Sequence, residues 1–283
     1  MISLAVVGVP LELLAVLAGG LGAIIGSFLN VLIYRMHTGR SLNGRSHCLS
    51  CGRLLRWYHL VPVVSYFALR GRCGCCGAWF TPRYAAVEIL TATLFALVVL
   101  MAVDVVEVMM LWAIMSVLVV IVVYDLRHLI IPDELVVTLV LLTTARAGYW
   151  AWLYLDSTLP FLATAVAGLT VAGFFFLLWY LSGGRWLGFG DVKLSFPLAL
   201  LVGSSGAFSM VVLSFWVGAG VSLCLLGLST LARRLRGKTP VWFLGRTLTM
   251  KSAVPFAPFL VAGALLVFFF HVDVLALFSW NAT

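Results

Sequence analysis

Two groups of residues in this 283-residue chain have types and spacing suited to chemistry: a set of cysteines and a set of carboxylates. Five of the six cysteines fall in one stretch, as Cys48-Leu-Ser-Cys51 and Cys73-Gly-Cys75-Cys76. Two Cys-x-x-Cys pairs separated by 21 residues have the spacing of a zinc ribbon, in which two knuckles give four thiolates to a tetrahedral metal. Disulfides are the competing use of Cys48, Cys51, Cys73 and Cys76, and the charge pattern below disfavours them by placing this loop in the cytoplasm, where thiols stay reduced. Four thiolates leave no coordination position for water, so the zinc they hold is structural. Cys73-x-Cys75 is too tight for a knuckle, which leaves Cys75 as a spare thiol, and Cys224 stands alone in an apolar run.

The carboxylates matter because an acid inside or at the edge of a membrane span is costly and invites a functional explanation. Asp133 and Glu134 open an apolar run after Pro132, where an acid caps free N–H groups and suits the positive helix end. Capping is the favoured reading of Asp133. Asp191 also opens a run, but Gly188 and Gly190 before it leave room for close approach to a ligand, which capping alone does not require. Asp125 ends a run in Tyr124-Asp125-Leu-Arg127, where a negative charge opposes its own helix dipole. A salt bridge to Arg127 or Lys193 is the structural alternative there. Glu88 lies one turn into another run. Two carboxylates that meet across helices can share one proton, one activating water while the other protonates a carbonyl oxygen. Nothing else in the chain offers a better nucleophile, because the five histidines have no serine or cysteine at a telling spacing.

The elements that position these groups are membrane helices. With 63% hydrophobic residues, 10% charged residues and a mean hydropathy of +1.14, the chain reads as an all-α polytopic integral membrane protein. Eight apolar runs are expected, near 11–34, 84–103, 107–124, 134–152, 158–181, 190–204, 207–231 and 253–272. The sixth is the shortest. Gly203-Ser-Ser-Gly206 divides the sixth from the seventh, so these two read as a hairpin.

Of 18 Lys and Arg residues, all except Arg146 fall on connections that share one side in this arrangement. The positive-inside rule makes that side cytoplasmic and sends both termini out. No basic residue precedes Arg35, so the first run is expected to be an uncleaved anchor. The net charge of +8 then reflects topology and anionic lipid, not nucleic acid. The expected divisions are 1–34, a first span; 35–83, a cytoplasmic four-cysteine zinc loop too short to fold without its metal; and 84–283, a transmembrane catalytic region. The connection 232–252 reads as a basic loop broken by Gly237 and Pro240.

In order along the chain, Gly26-Ser-Phe-Leu-Asn30, Ser46-His-Cys48, Arg70-Gly-Arg-Cys73, Val87-Glu88, Ile131-Pro-Asp133, Gly188-Phe-Gly190-Asp191-Val-Lys193 and Pro255-Phe-Ala-Pro258 closely resemble the motifs of bacterial type IV prepilin peptidases. The resemblance implies an eight-span inner-membrane aspartyl protease that removes the leader of prepilins or pseudopilins, with Asp125 and Asp191 catalytic. Asp133, Lys193, Gly188, Gly190 and Glu88 are expected to support that site. It also implies methylation of the new N-terminus from S-adenosylmethionine, associated with the cysteine loop. Local departures are His59, where the family pattern has an acid, Met36-His37 in place of Leu-Pro, and the extra Cys75. They touch the loop, and so bear on methylation more than on cleavage. The rival readings are a peptidase without methyl transfer and, from another class, a transporter or scaffold. Transport favours ionisable groups at mid-membrane, whereas here they gather at one face. Gly188-Phe-Gly190 gives no nucleotide fingerprint, because it precedes a membrane helix and follows no strand.

Overall fold

The computed structural model describes residues 10–36, 38, 44, 46–102, 104–153, 158–236, 242–243, 246–247 and 255–279. His37 and most of the basic connection 232–252 lie outside them. The described chain is helical apart from isolated bridges and a two-residue antiparallel pair, β1 (Trp242–Phe243) and β2 (Arg246–Thr247). It divides into two compact units, Met1–Val123 and Tyr124–Thr283.

The first unit is built on α1 (Leu11–Arg35) and α3 (Arg83–Met101), which pack backbone to backbone. A Cβ on Gly22 would lie 2.8 Å from the Thr91 carbonyl, and one on Gly26 would lie 2.9 Å from the Glu88 Cα. This Gly-x-x-x-Gly face is a membrane-helix device, since apolar side chains gain nothing by leaving lipid and close backbone contact must hold the pair. Asn30 completes the contact by donating from Nδ2 to the Tyr84 carbonyl at 3.0 Å. A Gly26→Leu substitution is expected to destabilise the pair by about 1–3 kcal/mol or more, since the Glu88 backbone cannot yield. Thermal unfolding in detergent would show it as a lowered midpoint, and an unchanged midpoint would contradict the packing. Between α1 and α3 lie a 3-10 turn, Trp57–His59, and the short helix α2, Val64–Ala68.

α4 (Val105–His128) begins in the first unit and ends in the second, closing on Leu129 in the left-handed region at φ 58°. The second unit continues with α5 (Asp133–Leu153), α6 (Thr158–Ser182), α7 (Phe189–Arg236), α8 (Ala257–Phe270) and α9 (Val274–Ser279). Straight, the 48 residues of α7 would reach about 72 Å, more than twice a bilayer core. They do not run straight, because Gly203, at φ 81° and ψ 173°, leaves the helical region. Before it, Phe189 packs on Trp179 of α6, and Phe196 and Leu200 lie against Gly168. After it, Phe215 stacks on Phe175. The chain therefore descends α6 and climbs back along it, which is the hairpin expected at this break. The returning arm packs antiparallel on α8, with Gly206 against Val267, Gly263 against Ser214 and Gly218 against Phe259.

Among the described residues six helices, α1 and α3 to α7, are long and apolar enough to cross a membrane, and α8 is a shorter apolar helix of 14 residues. With α7 counted as two arms, these are the eight apolar runs of the sequence. The last is shorter than expected because the helix opens only at Ala257, just before Pro258.

Candidate active site and metal centre

Asp125 sits three residues from the end of α4 and Asp191 in the first turn of α7, both buried. They lie close enough for their charges to interact. Helix N-termini explain how both can be accommodated. The Asp191 carboxylate reaches back to the Gly188 N–H, half of a capping box, while its own N–H donates to the Gly188 carbonyl at 3.1 Å. Asp125 receives the N–H of Ala257, the first residue of α8. The sequence offers Arg127 or Lys193 as partners for an acid at the end of α4, and the fold adds a helix start 132 positions downstream. Asp125 Oδ2 is buried without a hydrogen-bond partner among the described residues. A buried unpaired carboxylate oxygen is costly unless a water or substrate group meets it.

The supporting residues divide. Lys193 Nζ bonds Asp133 Oδ1 at 2.8 Å and lies 5.0 Å from the Phe189 ring centre, so its observed partner is Asp133, not Asp125. The pair is exposed and contributes on the order of 1 kcal/mol or less. A Cβ on Gly190 would come within 3.1 Å of the Ile131 side chain, so this glycine also seats the turn before α5 against the start of α7. Gly188 leaves its space to Asp191 Oδ2, 3.4 Å from where a Cβ would stand.

Glu88 belongs to the first unit, where it is buried and Oε2 accepts the Val63 N–H at 2.7 Å. Val63 stands at φ 62° and ψ −55°, and the Val64 N–H donates to the Pro62 carbonyl at 2.6 Å. This is a γ-turn of the strained hand, costly for a β-branched residue by about 1–3 kcal/mol. Glu88 holds it. The sequence marks Glu88 by its charge but carries no signal for Val63, whose strain is visible only in the backbone.

The four cysteines converge, with their sulfurs all within 4.8 Å of one another. Cys48 Sγ and Cys76 Sγ are 3.8 Å apart, the edge of a tetrahedron around a metal at about 2.3 Å from each sulfur. The two halves repeat one another. Cys48 N–H donates to Arg53 O and Gly52 N–H to Cys48 O; Cys73 N–H donates to Ala78 O and Gly77 N–H to Cys73 O. Bridges His47–Leu54 and Arg72–Trp79 close each knuckle, and Gly52 and Gly77 turn at φ 69° and 70°. An eight-residue repeat, His47–Leu54 and Arg72–Trp79, too short and divergent to stand out in the sequence, is plain in the hydrogen bonds. By this correspondence Cys75 occupies the place of Ser50, off the metal, where its sulfur accepts from Arg53 Nη1 at 3.0 Å.

Backbone N–H groups complete the donor set. Those of Cys51 and Ser50 bring the Cys48 thiol down to about 6, and those of Cys76 and Cys75 lower Cys73. Cys51 receives the Arg53 N–H, yet burial and the neighbouring thiolates push it up to about 12, so without a cation the four cannot all ionise near neutral pH. A dication resolves that conflict, and the set fits structural zinc.

Two family models match the sequence: the bacterial peptidase A24 N-terminal domain over residues 21–102, and the type IV leader peptidase family over residues 112–223. The chain is similar to the prepilin leader peptidase/N-methyltransferase of Dichelobacter nodosus, 26% identical with 90% of this chain and 91% of that protein aligned. It is similar also to the protein of that name from Burkholderia pseudomallei strain 1026b, 30% identical over 88% of this chain and 83% of that one. A third, from Myxococcus xanthus, is 46% identical over 84 residues, 29% of this chain and 25% of the relative. No solved structure matches.

Proposed function

Because the chain belongs to the type IV leader peptidase family, we propose that it cleaves the leader from prepilins or pseudopilins with Asp125 and Asp191 and methylates the N-terminus so released, using S-adenosylmethionine. The observation that carries the catalytic assignment is the buried pair of carboxylates with one oxygen, Asp125 Oδ2, lacking a partner among the described residues. One carboxylate takes a proton from the attacking water while the other protonates the scissile carbonyl oxygen, giving a neutral tetrahedral intermediate. The intermediate collapses as the leaving amine takes a proton from the pair. The two carboxylates titrate as one unit. Gly188 and Ala257 keep them oriented through backbone N–H groups, and the exposed Asp133–Lys193 pair steadies the start of α7.

The membrane orientation follows the charge. Seventeen of the 18 basic residues share the cytoplasmic side of the inner membrane, which leaves the termini outside and the aspartates near the cytoplasmic face. A prepilin helix lying in the bilayer would bring its leader junction to that level. Residues 35–83 form the zinc-binding loop domain, in which Cys48, Cys51, Cys73 and Cys76 hold the ion. A zinc ion there would cross-link the two knuckles of the loop, and with four thiolate ligands it would offer no position to the hydrolytic water.

Incubation of the purified protein with a prepilin, with and without S-adenosylmethionine, tests the proposal by mass spectrometry. Expected are a shortened product in both reactions and one further methyl mass on its N-terminus in the first only. A shortened product without the methyl mass would leave a peptidase alone. An unshortened prepilin would overturn the reading.

A further inference from the structure

We propose that residues 57–67, the 3-10 turn and α2 with the Val63 turn between them, form an interfacial element that seats on anionic phospholipid, with Trp57, Val64 and Phe67 entering the leaflet and flanking arginines meeting its phosphates. Trp57 is 78% exposed, Val64 64% and Phe67 63%, a concentration of apolar surface that a segment in water would not keep without a partner. The composition around it selects that partner. Residues 35–83 contain eight arginines, no lysine and no acidic residue. Arg53, Arg56, Arg70 and Arg72 are all exposed. Arg56 donates to the Tyr58 hydroxyl at 2.9 Å and Arg72 lies 4.5 Å from the Trp79 ring centre, so in both places a guanidinium group is paired with an aromatic ring. Aromatic residues with arginine are the side chains of the headgroup layer, where amphipathic rings and phosphate-pairing cations are both satisfied.

Depth ties the segment to the bilayer. Glu88, which accepts the Val63 N–H, stands five residues past the start of α3, a helix long and apolar enough to span the membrane. The 19 residues of α3 reach about 28 Å, little less than the ~30 Å hydrocarbon core they must cross, so α3 begins at the edge of that core and Glu88 lies about a turn inside it. The centre of segment 57–67 is thus bonded at or just below the level where headgroups meet acyl chains. A loop standing clear in the cytoplasm could not make that bond. The strained Val63 turn is what brings the chain down to it.

Brominated lipid provides the test, because bromine quenches tryptophan only on contact. The full-length protein, and its Trp57→Phe variant, would be placed in nanodiscs of phosphatidylcholine with phosphatidylglycerol, either lipid brominated near the headgroup end of its chains. The difference between the two proteins reports Trp57, and retained zinc shows that the loop is folded. Expected is a Trp57 signal quenched strongly by brominated phosphatidylglycerol and little by aqueous acrylamide. A second protein, Arg56→Gln with Arg70→Gln, should lose the preference for brominated phosphatidylglycerol over brominated phosphatidylcholine by on the order of tenfold. A Trp57 signal open to acrylamide and untouched by brominated lipid would overturn the proposal. So would lipid quenching abolished by a saturating prepilin, which would make the surface a substrate seat. Neither outcome depends on cleavage, so this inference and the proposed function fail separately.

Discussion

Asp191→Asn and Asp125→Asn proteins are expected to lose leader cleavage by on the order of a thousandfold or more while keeping their helical content and detergent behaviour. Asparagine preserves the volume of each side chain, and its oxygen can still accept the Gly188 or Ala257 N–H that holds the native carboxylate. What it cannot do is carry a proton between water and the scissile carbonyl. The two losses should not add, because the carboxylates act as one unit and either substitution alone removes the exchange. Asp133→Asn, which breaks the exposed ion pair that steadies the start of α7, should cost cleavage no more than a few-fold. Methylation of a pilin peptide that already begins at the mature residue should persist in Asp191→Asn. Cleavage by Asp191→Asn at more than a tenth of the parent rate, measured by the gel shift of a prepilin, would remove the catalytic assignment.

Much of this architecture is legible in the residue order, for a physical reason. A bilayer imposes a length on every span, so apolar runs and their breaks map almost directly onto helices, and even the fold-back at Gly203 announces itself as Gly-Ser-Ser-Gly in a run too long for one crossing. The cysteine spacing is local and equally plain. What the sequence hides are partners brought from far along the chain. Asp125 reads as a charge at the wrong end of its helix, and only the fold supplies the Ala257 N–H that offsets it. Gly190 reads as room for a ligand, whereas the nearest atoms to a Cβ there belong to Ile131. Glu88 reads as an acid in search of chemistry, and its partner proves to be the backbone of a strained turn 25 residues earlier. In each case the residue type is conspicuous while the reason for it is tertiary.

The cysteine loop gives the second large effect. Cys48→Ser is expected to strip zinc from the purified protein and unfold residues 46–80, whereas Cys75→Ser should bind zinc as the parent does. The contrast rests on the repeat. Cys48 supplies one of four converging sulfurs and collects two backbone N–H groups, so serine there costs a thiolate and leaves those donors aimed at a weaker acceptor. Structural zinc in small domains contributes about 10–16 kcal/mol, nearly all the folding energy of a segment this short, so loss of one ligand is expected to reach several kcal/mol. At position 75 it is the backbone N–H that turns toward Cys73, and the substitution keeps it; only the Arg53 contact to the sulfur is lost. Metal analysis after gel filtration, followed by chelator competition, separates the two variants, and amide exchange over 46–80 reports the fold. Methyl transfer should fall in Cys48→Ser before cleavage does, since the aspartates sit on helices that owe nothing to the metal. If Cys75→Ser releases zinc as readily as Cys48→Ser, the fifth thiol is a ligand and the correspondence with Ser50 is broken. A wild-type protein purified without any zinc would instead remove the ion, leaving the N–H groups around Cys48 and Cys73 to be explained by a reactive thiolate pair.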